Sequence, residues 1–308
     1  MHKAKKIIII LLVFIVLILV SGIFIIFKCS YHREYFPREE LESYPSPIVF
    51  LKSAENEKKY FMKLDDPDNK CFLDYSRIWD YDADSGTFLF SMIENGEESI
   101  YEYDLQNESY QCLFDESFIS QYLQIYDEEE FESVYYHLSG NEVSGVYGDI
   151  LFIYNKINSK CTYTMHLPDI TWRQVYGWLD ADTFLLRDFD ETFVFNTKTG
   201  EMINTGNYLG TSIYISPDKT VGCSARDENW FGVSFTPILF WNTVDYNIKK
   251  FHEGITTSAH LQISDDHKYI LFARYYVDEN DQLLCIRIED EKLCIYFETE
   301  DEIIDLFW

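Results

Sequence analysis

One short pattern is written six times along this 308-residue chain: an apolar strand, a turn of Asp, Asn or charged residues, then a second apolar strand. It occurs at 60–73 (YFMKLDDPDNKCFL), 101–114 (YEYDLQNESYQCLF), 151–167, 192–205, 238–252 and 283–297. Aligned on the residue entering each turn, the register falls at Lys63, Asp104, Asn155, Asn196, Asn242 and Arg287, with spacings of 41, 51, 41, 46 and 45 residues. A unit of that length holds several strands and cannot bury both of its faces alone. Radial stacking of such units does so, and the period therefore predicts an all-β ring, a β-propeller.

Each repeat reads as four strands, A innermost to D outermost. In the second blade they are expected at 76–82, 87–93, 99–104 and 109–114, with Asp84-Ser85-Gly86 and Asn95-Gly96 in the turns. The first repeat has B at 47–53, C at 60–64 and D at 70–73, but no A strand. The last residues, Glu302 to Trp308 (EIIDLFW), form a strand-like segment with no repeat of its own. Placed as strand A of blade one, it joins the two ends of the ring and removes two sheet edges whose unpaired backbone groups would invite association. The expectation is a six-bladed β-propeller closed by the C-terminal strand.

The turns between strands A and B in blades five and six read Ile215-Ser216-Pro217-Asp218-Lys219 and Ile263-Ser264-Asp265-Asp266-His267-Lys268. They resemble the S-P-D-G-K turn of WD40-like and TolB-like propellers. The Gly of that turn is missing in both copies, and no Trp-Asp or Gly-His signature accompanies them. The resemblance covers residues 47–308 in architecture and implies a superfamily, not an activity.

Ahead of the repeats, Ile7 to Phe27 is a run of 21 residues free of Asp, Glu, Lys and Arg. As a helix it spans about 30 Å, the thickness of a hydrocarbon core. Lys3, Lys5 and Lys6 precede it and favour a cytoplasmic N-terminus, although Lys28, Arg33 and Arg38 follow. The competing reading, a cleaved secretory signal, fits less well, because the apolar stretch is long and no small-x-small site follows. The expected plan is a cytoplasmic tail at 1–6, a transmembrane helix at 7–27, a charged, proline-containing stalk at 28–46 and the propeller at 47–308. The protein is expected at the cell membrane, single-pass, with its C-terminal domain extracytoplasmic.

Beyond residue 38 the chain carries 19 basic and 52 acidic residues, a net charge of −33. Such a field repels nucleic acid and anionic lipid, so no nucleic-acid partner is expected. Six of the seven cysteines lie in the propeller region, at Cys71, Cys112, Cys161, Cys223, Cys285 and Cys294, without metal-ligand spacing; most are expected to be buried thiols. The clusters Asp65, Asp66, Asp68, Asn69 and Asp278, Glu279, Asn280, Asp281 have oxygen ligands but not the spacing of an EF-hand loop. Turn chemistry accounts for both. No metal and no cofactor is expected, and the G-x-S-x-G, H-E-x-x-H, P-loop and G-x-G-x-x-G motifs are all missing.

In a propeller the D-to-A and B-to-C connections share one face. Two of them are long: 115–132, with Phe118, Tyr122 and Ile125 at helical spacing before the acidic run Asp127–Glu130, and 227–236, with Trp230 and Phe231. The expected ligand-binding residues are Trp230, Phe231, Tyr122 and Asp127, on loops held by a rigid scaffold. The competing explanation is an amphipathic lid on the ring and a tryptophan covering a local apolar patch. The leading functional expectation is a non-enzymatic interaction module for a protein, peptide or glycan. Its rival is a surface hydrolase or lyase acting on polysaccharide or peptide with acids at the channel mouth, since propellers host both classes.

Overall fold

Alternating apolar positions in short strands, separated by Asp-, Asn- and Gly-containing turns, build six four-stranded antiparallel sheets and one two-stranded hairpin among the described residues. The computed structural model describes residues 34–308 apart from 95, 124–129, 138–140, 168–173, 189–190, 211, 227, 231–232, 252–260 and 275–279. Blade two has strands Arg77–Asp82, Thr87–Glu94, Glu97–Asp104 and Ser109–Phe114, and blade three Phe131–Tyr136, Glu142–Tyr147, Ile150–Asn155 and Lys160–His166. Blade four has Gln174–Trp178, Thr183–Asp188, Glu191–Asn196 and Met202–Asn204; blade five has Ser212–Ile215, Val221–Ala225, Ile238–Asn242 and Ile248–Phe251. Blade six has Leu261–Ile263, Tyr269–Arg274, Asp281–Arg287 and Leu293–Thr299.

Blade one is completed from both ends of the sequence. Its order is Glu302–Phe307, Ile48–Lys52, Lys59–Lys63 and Asp66–Phe72, so the C-terminal strand is strand A, antiparallel to Ile48–Lys52 with Leu306 opposite Val49. Its side chains wedge between two neighbours. Ile303 (1% exposed) and Leu306 (0%) join a core with Leu271, Leu283 and Cys285 of blade six. Phe307 joins the core with blade two, stacked on Tyr81 at 5.1 Å between ring centroids. Asp281, which begins strand C of blade six, accepts the Ile303 N–H at 3.0 Å.

Size matching between strands explains the packing within blades. Strand B of blade five (VGCSA) is built of small residues because it faces the fully buried Trp241. A Cβ on Gly222 would lie 2.2 Å from that indole. Among the described cysteines Cys223, Cys285 and Cys294 are buried, Cys71 and Cys161 are half-buried and Cys112 is exposed on an outer strand, which corrects the expectation that most of the six would be buried.

Several local expectations change. The Asp65–Asn69 cluster is not one turn: strand D of blade one already begins at Asp66, leaving a two-residue connection after Lys63, and Asp66, Asp68 and Asn69 sit on its exposed edge. The helical spacing at 115–132 yields only Glu116–Phe118 as α-helix, continued by a π-helical turn at Ile119–Leu123. That change of pitch puts Leu123 rather than Tyr122 deepest in the core beside Phe118. The connection at 227–236 is a β-hairpin, Glu228–Trp230 against Val233–Phe235, and not an irregular loop.

The segment expected as a stalk is described from residue 34, and from there it lies on the ring. Tyr35 bridges Leu293 in parallel, the Phe36 N–H donates to Leu293 O at 2.8 Å, and the Leu293 N–H donates to Glu34 O at 3.1 Å. A 3-10 turn at Arg38–Leu41 follows, and Phe36 (5% exposed) and Leu41 (1%) enter the core between blades six and one. Among the described residues no helix is long and apolar enough to cross a membrane; the apolar segment 7–27 lies outside them.

Candidate functional site

The A strands of a propeller line its central channel, and here they bring together groups that the sequence pattern did not single out. Asp80 sits in strand A of blade two, directly after a bulge at Trp79 that shifts the register between Ile78 and Asp80. Its Oδ1 accepts the Tyr81 N–H at 2.9 Å, and its Oδ2 reaches into the next blade to accept the Tyr136 N–H at 2.8 Å. Part of Asp80 remains open to water, although protein surrounds it on all sides, as a narrow channel requires. Burial pushes its carboxyl up to about 6, against the opposing influence of the Lys219 charge and of those two N–H groups.

Lys219 belongs to blade five, across the six-membered ring from blade two. It occupies the Gly position of the turn beginning Ser216-Pro217-Asp218, with φ of +62°, a conformation that costs a side-chain-bearing residue about 1 kcal/mol. Burial lowers its pKa, while the charges of Asp80 and Asp218 act in the other direction. No ion pair within 4.0 Å joins Lys219 to Asp80 among the described residues, so the two charges attract across a gap.

Tyrosines complete the wall. The Tyr135 hydroxyl donates to Val175 O at 2.8 Å and that of Tyr176 to Gly210 O at 2.9 Å, tying blade three to four and four to five. Burial first, then the Asp80 charge, raises the pKa of both Tyr135 and Tyr214 well above the usual phenol range. They stay neutral hydrogen-bonding groups at any physiological pH. Behind them, the Tyr136 hydroxyl lies 2.8 Å from Thr87 Oγ1 and 3.0 Å from Glu102 Oε1, and the buried Glu102 also accepts from Lys156 Nζ at 2.8 Å and Gln111 Nε2 at 2.9 Å. A buried carboxylate with that many donors is structural.

The turns at the mouth hold their acids in the opposite state. Burial alone would raise Asp218, but hydrogen bonds from Ser216 and Thr220 hold it at about 2. Asp266 is likewise held at about 2, by Lys268, Tyr44 and Ser264 against the effect of burial. His267, at φ +57° in the same Gly position as Lys219, places Nε2 3.2 Å from Asp218 and ties the two turns together.

Of the residues expected to bind a ligand, Tyr122 is half-buried, its ring 5.2 Å from that of Phe118. It lines an open cleft of about 250 Å³ at the outer junction of blades two and three, together with Cys112, Gln121, Tyr154 and Ser159. Burial and the charge of Asp115 push the Cys112 thiol up to about 11, so this exposed residue presents no thiolate. Trp230 ends the first strand of the hairpin in blade five, opposite Val233. Phe231 and Asp127 lie outside the described residues. Among the described residues no three His, Cys, Asp or Glu side chains gather as a metal ion would need.

Two signals in the sequence point to the channel groups: an acid inside an otherwise aromatic strand, Trp79-Asp80-Tyr81, and a lysine where the turn has its glycine. Their convergence from opposite blades is a property of the ring alone.

No protein-family model matches this chain, and no curated protein matches it in sequence. Solved structures match it in fold. TolB from Acinetobacter baumannii aligns with a TM-score of 0.61 at 9% identity, over 87% of this chain and 69% of that one. A putative TolB from Agrobacterium tumefaciens gives 0.56 at 10% identity, over 85% and 91%. The β-propeller domain of the Trilobed protease from Pyrococcus furiosus gives 0.52 at 10% identity, over 85% and 84%, and is described as having an open velcro topology. This chain shares the β-propeller fold of these structures, and its own first blade is completed by the C-terminal strand.

Proposed function

We propose that this protein is a membrane-tethered, extracytoplasmic propeller that binds a protein or peptide on the face bearing the 115–130 and 227–236 connections. One observation carries the choice of binding over catalysis. The Asp80 carboxylate, on the innermost strand of blade two, has both oxygens committed to backbone N–H groups, of Tyr81 and Tyr136, in the role of a clamp between blades. A glycosidase needs two carboxyl groups about 5 to 9.5 Å apart and free to move protons, and a clamped acid is a poor candidate for either. The 115–130 connection offers Tyr122 beside an open cleft, and the 227–236 connection carries Trp230 at the end of a hairpin strand. Aromatic side chains on a rigid support are the residue type that dominates protein interfaces.

The hydrolase reading keeps one observation in its favour, the Asp80 carboxyl raised to about 6, closer to neutral pH than an ordinary aspartate and in the range where a carboxyl can exchange a proton in a reaction. Capture from native membranes by the tagged full-length chain separates the two readings. The double variant Trp230→Ala, Phe231→Ala is expected to lose partner capture by about tenfold or more, the effect of removing an aromatic hot spot, with its melting midpoint unchanged. Unchanged capture would remove the rim from the account. A glycan or peptide product whose release depends on Asp80 would favour the rival.

A further inference from the structure

The N-terminal strap fixes more than the edge of blade six. It is held along its whole length. Lys292 Nζ lies 2.8 Å from Glu34, the Arg38 guanidinium stands 4.8 Å from the centre of the Tyr296 ring, and Arg287 pairs with Glu40 while covering Phe36 at 5.0 Å. Tyr44 donates to Asp266 Oδ2 at 2.7 Å, and Trp308 Nε1 donates to Pro45 O at 2.8 Å. From Glu34 onward the chain has no freedom to act as a swivel.

The place where it attaches is off-centre. Leu293 and Lys292 lie where strand D of blade six leaves its C-to-D turn, and that turn shares a face of the ring with the A-to-B turns. The chain before Glu34 therefore departs from the outer corner of blade six on the A-to-B face. Only residues 28–33 separate this corner from Phe27, the end of the apolar run. Seven Cα steps span at most about 25 Å.

We infer that the strap is an orienting device: it holds the propeller with the A-to-B corner of blade six against the lipid surface and turns the opposite face, with its two long connections, away from the membrane. This rests on the tethered reading above and adds to it which part of the ring meets the bilayer. A flexible stalk would let every blade visit the lipid. A strap docked through backbone bonds, buried Phe36 and Leu41 and two ion pairs keeps one corner nearest the end of the apolar run.

Lipid photo-crosslinking by the full-length chain, reconstituted in phosphatidylcholine vesicles containing a tritiated lipid, tests this. A photoreactive residue is placed in turn at Glu289, in the C-to-D turn of blade six, at Asn158, in the equivalent turn of blade three across the ring, and at Glu300, on the opposite face of blade six. All three are exposed. The expected result is lipid adducts at Glu289 at least fivefold above the other two positions. Equal labelling of Glu289 and Asn158 in protein that still floats with the vesicles would overturn the orientation alone. Failure to float would overturn the tether and the orientation with it. The double variant Phe36→Asp, Leu41→Asp is expected to float and to lose the contrast; a retained contrast would show that the strap does not set the orientation. If that variant does not fold, the comparison within the parent chain still decides.

Discussion

The C-terminal strand and the N-terminal strap are both short, and both fasten the seam between blades six and one, but they do so from opposite sides. Glu302–Phe307 enters at the channel, pairs along five positions with Ile48–Lys52, and inserts Ile303, Leu306 and Phe307 between two neighbouring blades. The strap enters at the outer rim through one parallel bridge, two buried apolar residues and a set of charge contacts. Both send side chains into the same core, but the first also completes the sheet of a blade, whereas the second joins no sheet beyond a single bridge. The lesson is that backbone pairing with apolar wedges carries stability, whereas the strap's polar fastening carries position.

Deleting residues 302–308 should have the largest effect. It exposes the inner edge of blade one and empties the core on both sides, and three large buried side chains at about 1.5 to 3 kcal/mol each amount to more than about 5 kcal/mol. Thermal unfolding and size-exclusion chromatography are expected to show unfolding or aggregation. A truncated chain that stays monomeric with an unchanged midpoint would break the comparison at its stronger end.

Breaking the strap with Phe36→Asp and Leu41→Asp should cost less, on the order of 3 to 5 kcal/mol, because two buried side chains are lost but every blade keeps its four strands. Circular dichroism is expected to retain the sheet signal while the denaturation midpoint falls. A loss equal to that of the C-terminal deletion would make the strap as necessary to the ring as the closing strand.

The difference between the ends also explains what the sequence made legible. The closing strand announced itself because EIIDLFW is apolar, of strand length, and left over when the repeats are counted. Phe36 and Leu41 stand singly among charges, with no period to reveal a buried face, and their contacts are with residues about 250 positions away. The channel behaves likewise. Asp80 and Lys219 become neighbours only when blades two and five face each other across the ring, and no local pattern encodes that. The rim was read from Tyr122 and Trp230 as loop residues. The structure gives one a place beside a cleft and the other the end of a hairpin strand.

A pH titration sharpens the contrast between the interior and the rim. Asp80 is raised to about 6, so it binds its proton more tightly in the folded state; the stability it contributes is complete below the unfolded value near 4 and is lost as pH rises through 6. A shift of about two units corresponds to at most about 3 kcal/mol. Asp80→Asn should therefore flatten the fall in stability between about pH 4 and 6. The turn acids Asp218 and Asp266, held at about 2, act in the other direction, and their contribution is lost only as pH falls below about 4. If the slope between pH 4 and 6 is unaltered in Asp80→Asn, the channel acid is not buried as described.

The smallest stability effect is expected at Lys219. Lys219→Gly relieves a left-handed backbone at a gain of about 1 kcal/mol, and it removes the charge that restrains Asp80. The Asp80 titration, followed by carboxyl carbon NMR, should then move upward. A downward move would reverse the assigned sign of the Lys219 influence.

The central claim, that the face bearing the long connections receives a partner while the seam holds the ring in place, is tested most directly by protein photo-crosslinking in native membranes. A photoreactive residue is placed at Tyr122 or Trp230, and for comparison at the exposed Thr199, in the C-to-D turn of blade four, in the full-length chain. The account predicts a discrete protein adduct from Tyr122 and Trp230 and none from Thr199. Adducts from Thr199 alone would contradict it.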